Sequence, residues 1–274
     1  MLLPVPQPYD FALASERFRS FGVDLLWRWR VGALHRVVAG EELRIAAAAG
    51  GVTVDPLPVE ALPVVRHLLG LDLDLGGFLA HAAGDPLLNR LVAALPGYRP
   101  MLVPDPLEML VASVTAQQVS LLAATAVRNR LVERFGERRG EAWAFPAREK
   151  LAGAEPEELV ACGFSRRKAE AVVDLARAPL DLDGLALLPD GEVRAAIIAL
   201  KGFGEWSADW FLARCLGRPR AWPAGDLAVR KALAHYCLDG TMPSLDEARA
   251  LGERFAPHES LAVHFLLLGQ RVGA

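Results

Sequence analysis

Cysteine is scarce in this chain. Three occur, Cys162, Cys215 and Cys237, and none belongs to a CxxC pair. That count excludes a metal site built from four cysteines, and an odd number gives no disulfide framework. Each stands beside apolar residues, as a small core filler does. Long apolar runs are missing too. No stretch of about 18 uncharged apolar residues is present, so no membrane span is expected. The N-terminus, MLLPVPQPYDF, lacks a positive segment ahead of a long apolar one and does not read as a signal peptide. The cytoplasm is the expected compartment. The six histidines show no HExxH or similar ligand spacing, so no catalytic transition metal is implied. An excess of positive charge is also absent: 30 basic against 33 acidic residues leave a net charge of −3. A nucleic-acid partner would have to be held by a local site. Main-chain amides can make such a site without adding charge.

What the chain does have is apolar residues, 53% of its 274, enough to bury a sizeable core. Two regimes follow one another. Residues 1–85 carry short strand-like runs. Leu26–Val31 alternates apolar or aromatic with basic residues, and His35–Val38, Glu42–Ala46 and Val52–Val54 follow across Gly-containing turns. A helix over Phe11–Phe21 precedes them. Residues 86–274 have helical periodicity. Pro106 opens a helix through Val114, and Val119–Phe135 forms a long one that ends at Gly136. Pro156 starts a short helix stopping at Cys162-Gly163, and Ser165 caps another through Ala178. Further helices are predicted over Asp190–Leu200, Trp206–Leu216, Asp226–Leu238, after the Ser244-x-x-Glu247 capping box, and over Pro257–Leu268. The expected class is α+β: a small antiparallel sheet with one or two helices, then an all-α body.

The informative segment is Leu200-Lys201-Gly202-Phe203-Gly204-Glu205-Trp206-Ser207-Ala208. Two glycines one residue apart separate two helices. Glycine admits positive φ and lets another backbone come close. The helix that follows begins with free N–H groups that can hold a phosphate. On its own, the same motif suits an ordinary αα-hairpin turn. One helix further on stands Trp222-Pro223-Ala224-Gly225-Asp226-Leu227. Asp at a helix start is most often an N-cap. Its spacing from the hairpin, however, can bring the carboxylate beside a nucleotide held there.

Together, LKGFGEWSA and WPAGDLAVRK resemble the hairpin, the Gly/Pro-rich loop and the aspartate of the helix-hairpin-helix DNA glycosylase superfamily. Within it the chain resembles the AlkA-type DNA-3-methyladenine glycosylase II family. Gln7-Pro8-Tyr9-Asp10-Phe11, Ala116-Gln117-Gln118-Val119-Ser120 and Gly163-Phe164-Ser165-x-x-Lys168-Ala169 support that branch, and the similarity covers nearly the whole chain. The resemblance implies two helical lobes with the active site between them. It implies that Asp226 stabilises an oxocarbenium-like sugar or activates water as a damaged purine leaves duplex DNA. Gly202, Phe203, Gly204 and Ser207 would meet DNA. Gln118 would fill the gap left by the flipped nucleotide, where better-known members carry an apolar wedge. Trp206 and Trp210, four apart on one helix, would line the base pocket. Leu267 stands where the family often has a stacking tryptophan.

Bifunctional relatives place a lysine two positions after the last hairpin glycine, and here that position is Trp206. Lys201 precedes Gly202 and does not match, so a monofunctional enzyme is implied. The rivals are a hairpin protein that binds DNA without chemistry and a glycosylase/lyase. Having three cysteines, the chain cannot form the iron–sulfur cluster of some relatives. No cofactor is required. The family hairpin often holds a structural Na+ or K+, here through the carbonyls of Ile198, Leu200 and Phe203. Arg166, Arg167 and Lys168 are the most basic short run and either meet the DNA backbone or form a solvated face. Trp222 is expected to pack structurally. A monomer is usual in the family.

Overall fold

The computed structural model describes residues 1–274. Five antiparallel strands form one sheet in the order β1-β5-β4-β3-β2: β1 (Leu2–Pro4), β2 (Arg28–Arg30), β3 (Ala33–Val38), β4 (Glu41–Ala48) and β5 (Gly51–Asp55). In β4, Leu43 and Ile45 point into the core while Arg44 faces out, the alternation of a sheet covered on one side. The register pairs Leu34 with Ile45 and Ile45 with Val54, so the buried residues form one row across three strands. β1 was not legible beforehand. The helix expected over Phe11–Phe21 is shorter, α1 (Phe11–Ser15) followed by a 3-10 turn over Glu16–Phe18.

Helical packing begins ahead of residue 86. Helices α2 (Leu62–Leu68) and α3 (Leu75–Ala82) precede α4 (Pro86–Ala94). Phe78 of α3 packs 4.9 Å from Phe265 on the last helix. Next come α5 (Pro106–Ala116), α6 (Leu121–Phe135), a two-stranded hairpin of β6 (Glu137–Arg139) and β7 (Ala142–Ala144), α7 (Arg148–Ala152), α8 (Pro156–Ala161) and α9 (Arg166–Arg177). The chain ends with α10 (Asp190–Ile198), α11 (Glu205–Arg214), α12 (Leu227–Cys237), α13 (Leu245–Gly252) and α14 (Glu259–Val272). Their starts follow local chemistry. Asp85, Asp105, Ser120, Ser165 and Asp226 each accept an N–H of the first turn, and Ser244 with Glu247 closes a capping box. No helix is long and apolar enough to cross a membrane.

The sheet is fastened to the helices through one buried acid. Glu108 of α5, 2% exposed, accepts the Trp27 indole N–H at 2.8 Å and pairs with Arg36 of β3. Trp27 is stacked on one side by Phe18, centroids 4.0 Å apart, and approached on its ring by the Arg36 guanidinium. On the other flank, β7 lies along β3 and Trp143 N–H donates to the Leu25 carbonyl at 2.9 Å.

Candidate active site

Helices α10 and α11 are joined by Ala199–Gly204, the predicted hairpin. Gly202 has φ +89°, and a Cβ there would come within 2.7 Å of the Ala171 Cβ. Gly202 is therefore a fold requirement. Gly204 differs from expectation. Its φ is −149°, extended backbone open to any residue, and a Cβ there would meet nothing within 4 Å. The N–H groups of Gly204, Glu205 and Trp206 have no main-chain acceptor, while Ser207 and Ala208 N–H return to the Gly204 carbonyl. The open side of Gly204 thus carries three free amides at the positive end of α11, a seat for an anion. Phe203 is buried beneath this turn and anchors it. Ser207 was expected on the DNA side, but it is only 1% exposed and its hydroxyl has no partner, because its place in the first turn of α11 faces the core.

Gly204→Ala is accordingly expected to leave the melting temperature unchanged and weaken duplex DNA binding roughly tenfold, about one lost hydrogen bond. Gly202→Ala should instead lower stability by about 1–2 kcal/mol for the left-handed backbone alone. Thermal melts and a binding titration on both variants separate the two roles. Unchanged affinity in Gly204→Ala would reduce the hairpin to a turn.

Asp226 is both a cap and something more. One carboxylate oxygen, Oδ1, accepts the N–H groups of Ala228 (2.8 Å) and Val229 (3.1 Å) and starts α12. The other, Oδ2, accepts the indole N–H groups of Trp206 (2.7 Å) and Trp210 (2.9 Å). An N-cap needs only the first pair. The i, i+4 spacing on α11 aims both indoles at one oxygen across the loop Ala221–Gly225. Trp206 is half-buried and keeps an open side. Trp210 is 2% exposed, and the Arg214 guanidinium lies 3.4 Å from its ring centroid. Enclosed in this way, it offers no open wall for a base, and what it contributes is its N–H. Arg214, one further turn along α11, was not singled out from the sequence, although its i, i+4 spacing from Trp210 was a usable signal. Its pKa is held well below the usual range by burial and by the neighbouring charges of Arg17 and Arg271, with Asp226 acting in the opposite direction.

Leu267 is buried on α14, one turn beyond His264, whose ring packs edge-on to Trp210. Gln118 is exposed at the loop between α5 and α6 with φ +55°, a left-handed conformation uncommon outside glycine. Trp222 packs on Phe255 and donates to the Ala248 carbonyl, a structural position. Of the basic run, Arg166 pairs with Glu157, Arg167 is exposed and Lys168 turns inward. Lys201 reaches across to Glu170 and Asp174 of α9. A cavity of about 510 Å³ borders Trp206, Trp222 and Gly225, but Asp226 is not among its walls, so it is not where a reacting sugar would lie.

A sheet fastened to a helical body, with a glycine hairpin facing a loop-borne aspartate, defines a base-excision protein of the helix-hairpin-helix type. The chain belongs to the HhH-GPD superfamily of base excision DNA repair proteins, whose family model matches residues 111–258. Among curated relatives, DNA-3-methyladenine glycosylase 2 of Escherichia coli is 30% identical over 82% of this chain and 76% of its own length. The 3-methyladenine DNA glycosylase of Archaeoglobus fulgidus superposes with a TM-score of 0.90 over 100% of this chain and 99% of that one at 24% identity, a likeness of fold. The Schizosaccharomyces pombe 3-methyladenine DNA glycosylase, solved in complex with abasic DNA, gives a TM-score of 0.63 at 26% identity, covering 72% of this chain and 97% of that one.

Proposed function

We propose that the chain is a monofunctional DNA glycosylase that removes alkylated purines, of the 3-methyladenine and 7-methylguanine kind, from duplex DNA by hydrolysing the N-glycosidic bond. The observation that carries this is the four-donor cradle of Asp226 beside an amide-rich hairpin. Relatives named DNA-3-methyladenine glycosylases, one of them solved on abasic DNA, support the substrate class. The hairpin amides hold a phosphate, the damaged nucleotide leaves the stack, and Gln118 enters the space it vacates. As the C1′–N bond breaks, its electron pair leaves with the base and the sugar becomes cationic. The alkylated purine is itself cationic and so departs neutral; water then adds to C1′ and gives up its proton to solvent. A carboxylate has about four in-plane acceptor sites, and the four N–H donors fill them. Taking a proton from water would displace a donor, so electrostatic stabilisation of the sugar cation is the better role for Asp226. Trp206, with its open side, is the pocket wall.

The Ile198 and Phe203 carbonyls receive no main-chain hydrogen bond, and that of Leu200 accepts only the Phe203 N–H. These three fit a monovalent cation, which would tie the hairpin to phosphate. The working form is a monomer acting on damaged DNA in the cytoplasm, at the nucleoid.

Incubation with methylated duplex should release free base and leave an intact abasic strand that breaks only after alkali. Borohydride present during turnover should trap no covalent adduct, because trapping needs an imine from an amine of the enzyme. Trp206 occupies the amine's position, and Lys201 is engaged on α9. A trapped band lost in Lys201→Ala would make the enzyme a lyase. Absence of base release would leave a DNA-binding module.

A further inference from the structure

Lys168 sits in the first turn of α9, yet its ammonium leaves its own helix. It donates to the carbonyls of Thr115 (3.0 Å) and Gln117 (2.7 Å), at the C-terminus of α5. Burial pushes its pKa down, and no carboxylate is set against it. The next side chain in this chain of contacts is Gln117, whose Nε2 donates to the Gly202 carbonyl at 2.9 Å. Gly202 itself is pressed against Ala171 of the same α9. α9 therefore touches the hairpin directly and, through Lys168, holds the last turn of α5. Immediately after that turn stands Gln118 in its left-handed conformation. Such a backbone persists only where its surroundings fix it. The carbonyls on its N-terminal side are fixed by Lys168, and Ser120 closes the other side by capping α6.

We propose that Lys168 and Gln117 are positioning residues that lock the Gln118 loop to the hairpin, so that the phosphate seat and the gap-filling side chain engage DNA as one rigid unit. The inference rests on the glycosylase reading and on Gln118 as the gap filler. Neither residue touches substrate. A lysine is suited to the task because a helix C-terminus leaves several carbonyls unpaired and carries a negative partial charge, and one ammonium can serve two of them.

The test compares single-turnover release of 7-methylguanine from two duplexes, one with the lesion paired to cytosine and one with it opposite an abasic site. Extrusion from the second needs less help because no pair has to be broken. Lys168→Met keeps the buried stem and removes the donors. It should slow release from the paired duplex roughly tenfold and change release from the unpaired one less than about twofold. Gln117→Leu should show the same split, and it decides the matter if Lys168→Met fails to fold. Equal slowing on both duplexes would mean a merely structural role and overturn the proposal, as would no slowing on either. Wild-type protein that releases no base at all would instead refute the glycosylase reading, so the two failures are distinct.

Discussion

Asp226→Asn should lose base release by about a thousandfold or more while still binding an abasic-analogue duplex as well as the parent, or more tightly. The rate loss follows from removing the negative charge that a sugar cation needs beside it. Retained binding follows because a neutral side chain no longer repels phosphate. The variant will not be silent in stability, although Asn matches Asp in shape. All four contacts of the carboxylate are with donors, two main-chain and two indole N–H groups. An amide has one accepting end. Whichever way it turns, its NH₂ group faces two N–H donors, and donors that are at most part-buried lose their acceptor at a cost on the order of 1 kcal/mol. Melting and single-turnover assays on one preparation separate the effects. Turnover within tenfold of the parent would remove Asp226 from the chemistry.

Glu108→Ala should be the most damaging single change to the fold. It leaves the Arg36 guanidinium without its carboxylate and the Trp27 N–H without its acceptor, both in the interior. Breaking a buried pair from one side costs about 3–5 kcal/mol. A fall in Tm on the order of 10 °C is expected. Because Glu108 joins the sheet to α5, limited proteolysis should cut the N-terminal segment of this variant first. If Tm moves by less than about 2 °C, the sheet is held by its apolar contacts alone.

Much of this architecture was legible because its signals are local. Capping residues located the starts of α9, α12 and α13, Pro106 located that of α5, and short apolar runs between Gly-containing turns located β3 to β5, whereas α6 starts two residues beyond the expected Val119 because Ser120 caps it. The hairpin turn and the N-cap place of Asp226 were legible from glycine, proline and spacing, whereas the roles proposed for them came from the resemblance. The elements that escaped lack those signals. β1 is three residues long, and its pairing with β5 lies some fifty positions away. β6 reads Glu-Arg-Arg, with no apolar alternation, and is a strand only because β7 pairs with it. α3 contains two adjacent glycines, which count against a helix on propensity. The site was half legible. That Trp206 and Trp210 share a face followed from i, i+4 spacing. That the shared target is Asp226, and that Arg214 covers the ring of Trp210, depends on how α11 and α12 pack. Likewise Lys168 read as part of a surface charge run, and only the approach of α9 to α5 turns it inward.

The cradle around Asp226 has one more consequence. A carboxylate free in water is wrapped in solvent molecules that must turn or leave before a cation can form beside it, and that rearrangement is part of an uncatalysed barrier. Here two peptide N–H groups and two indoles take the place of that hydration shell, and the start of α12 and one face of α11 hold them in position. On the proposed glycosylase reading, the solvent reorganisation that dilute solution would demand at each reaction would be carried out once, when the chain folds.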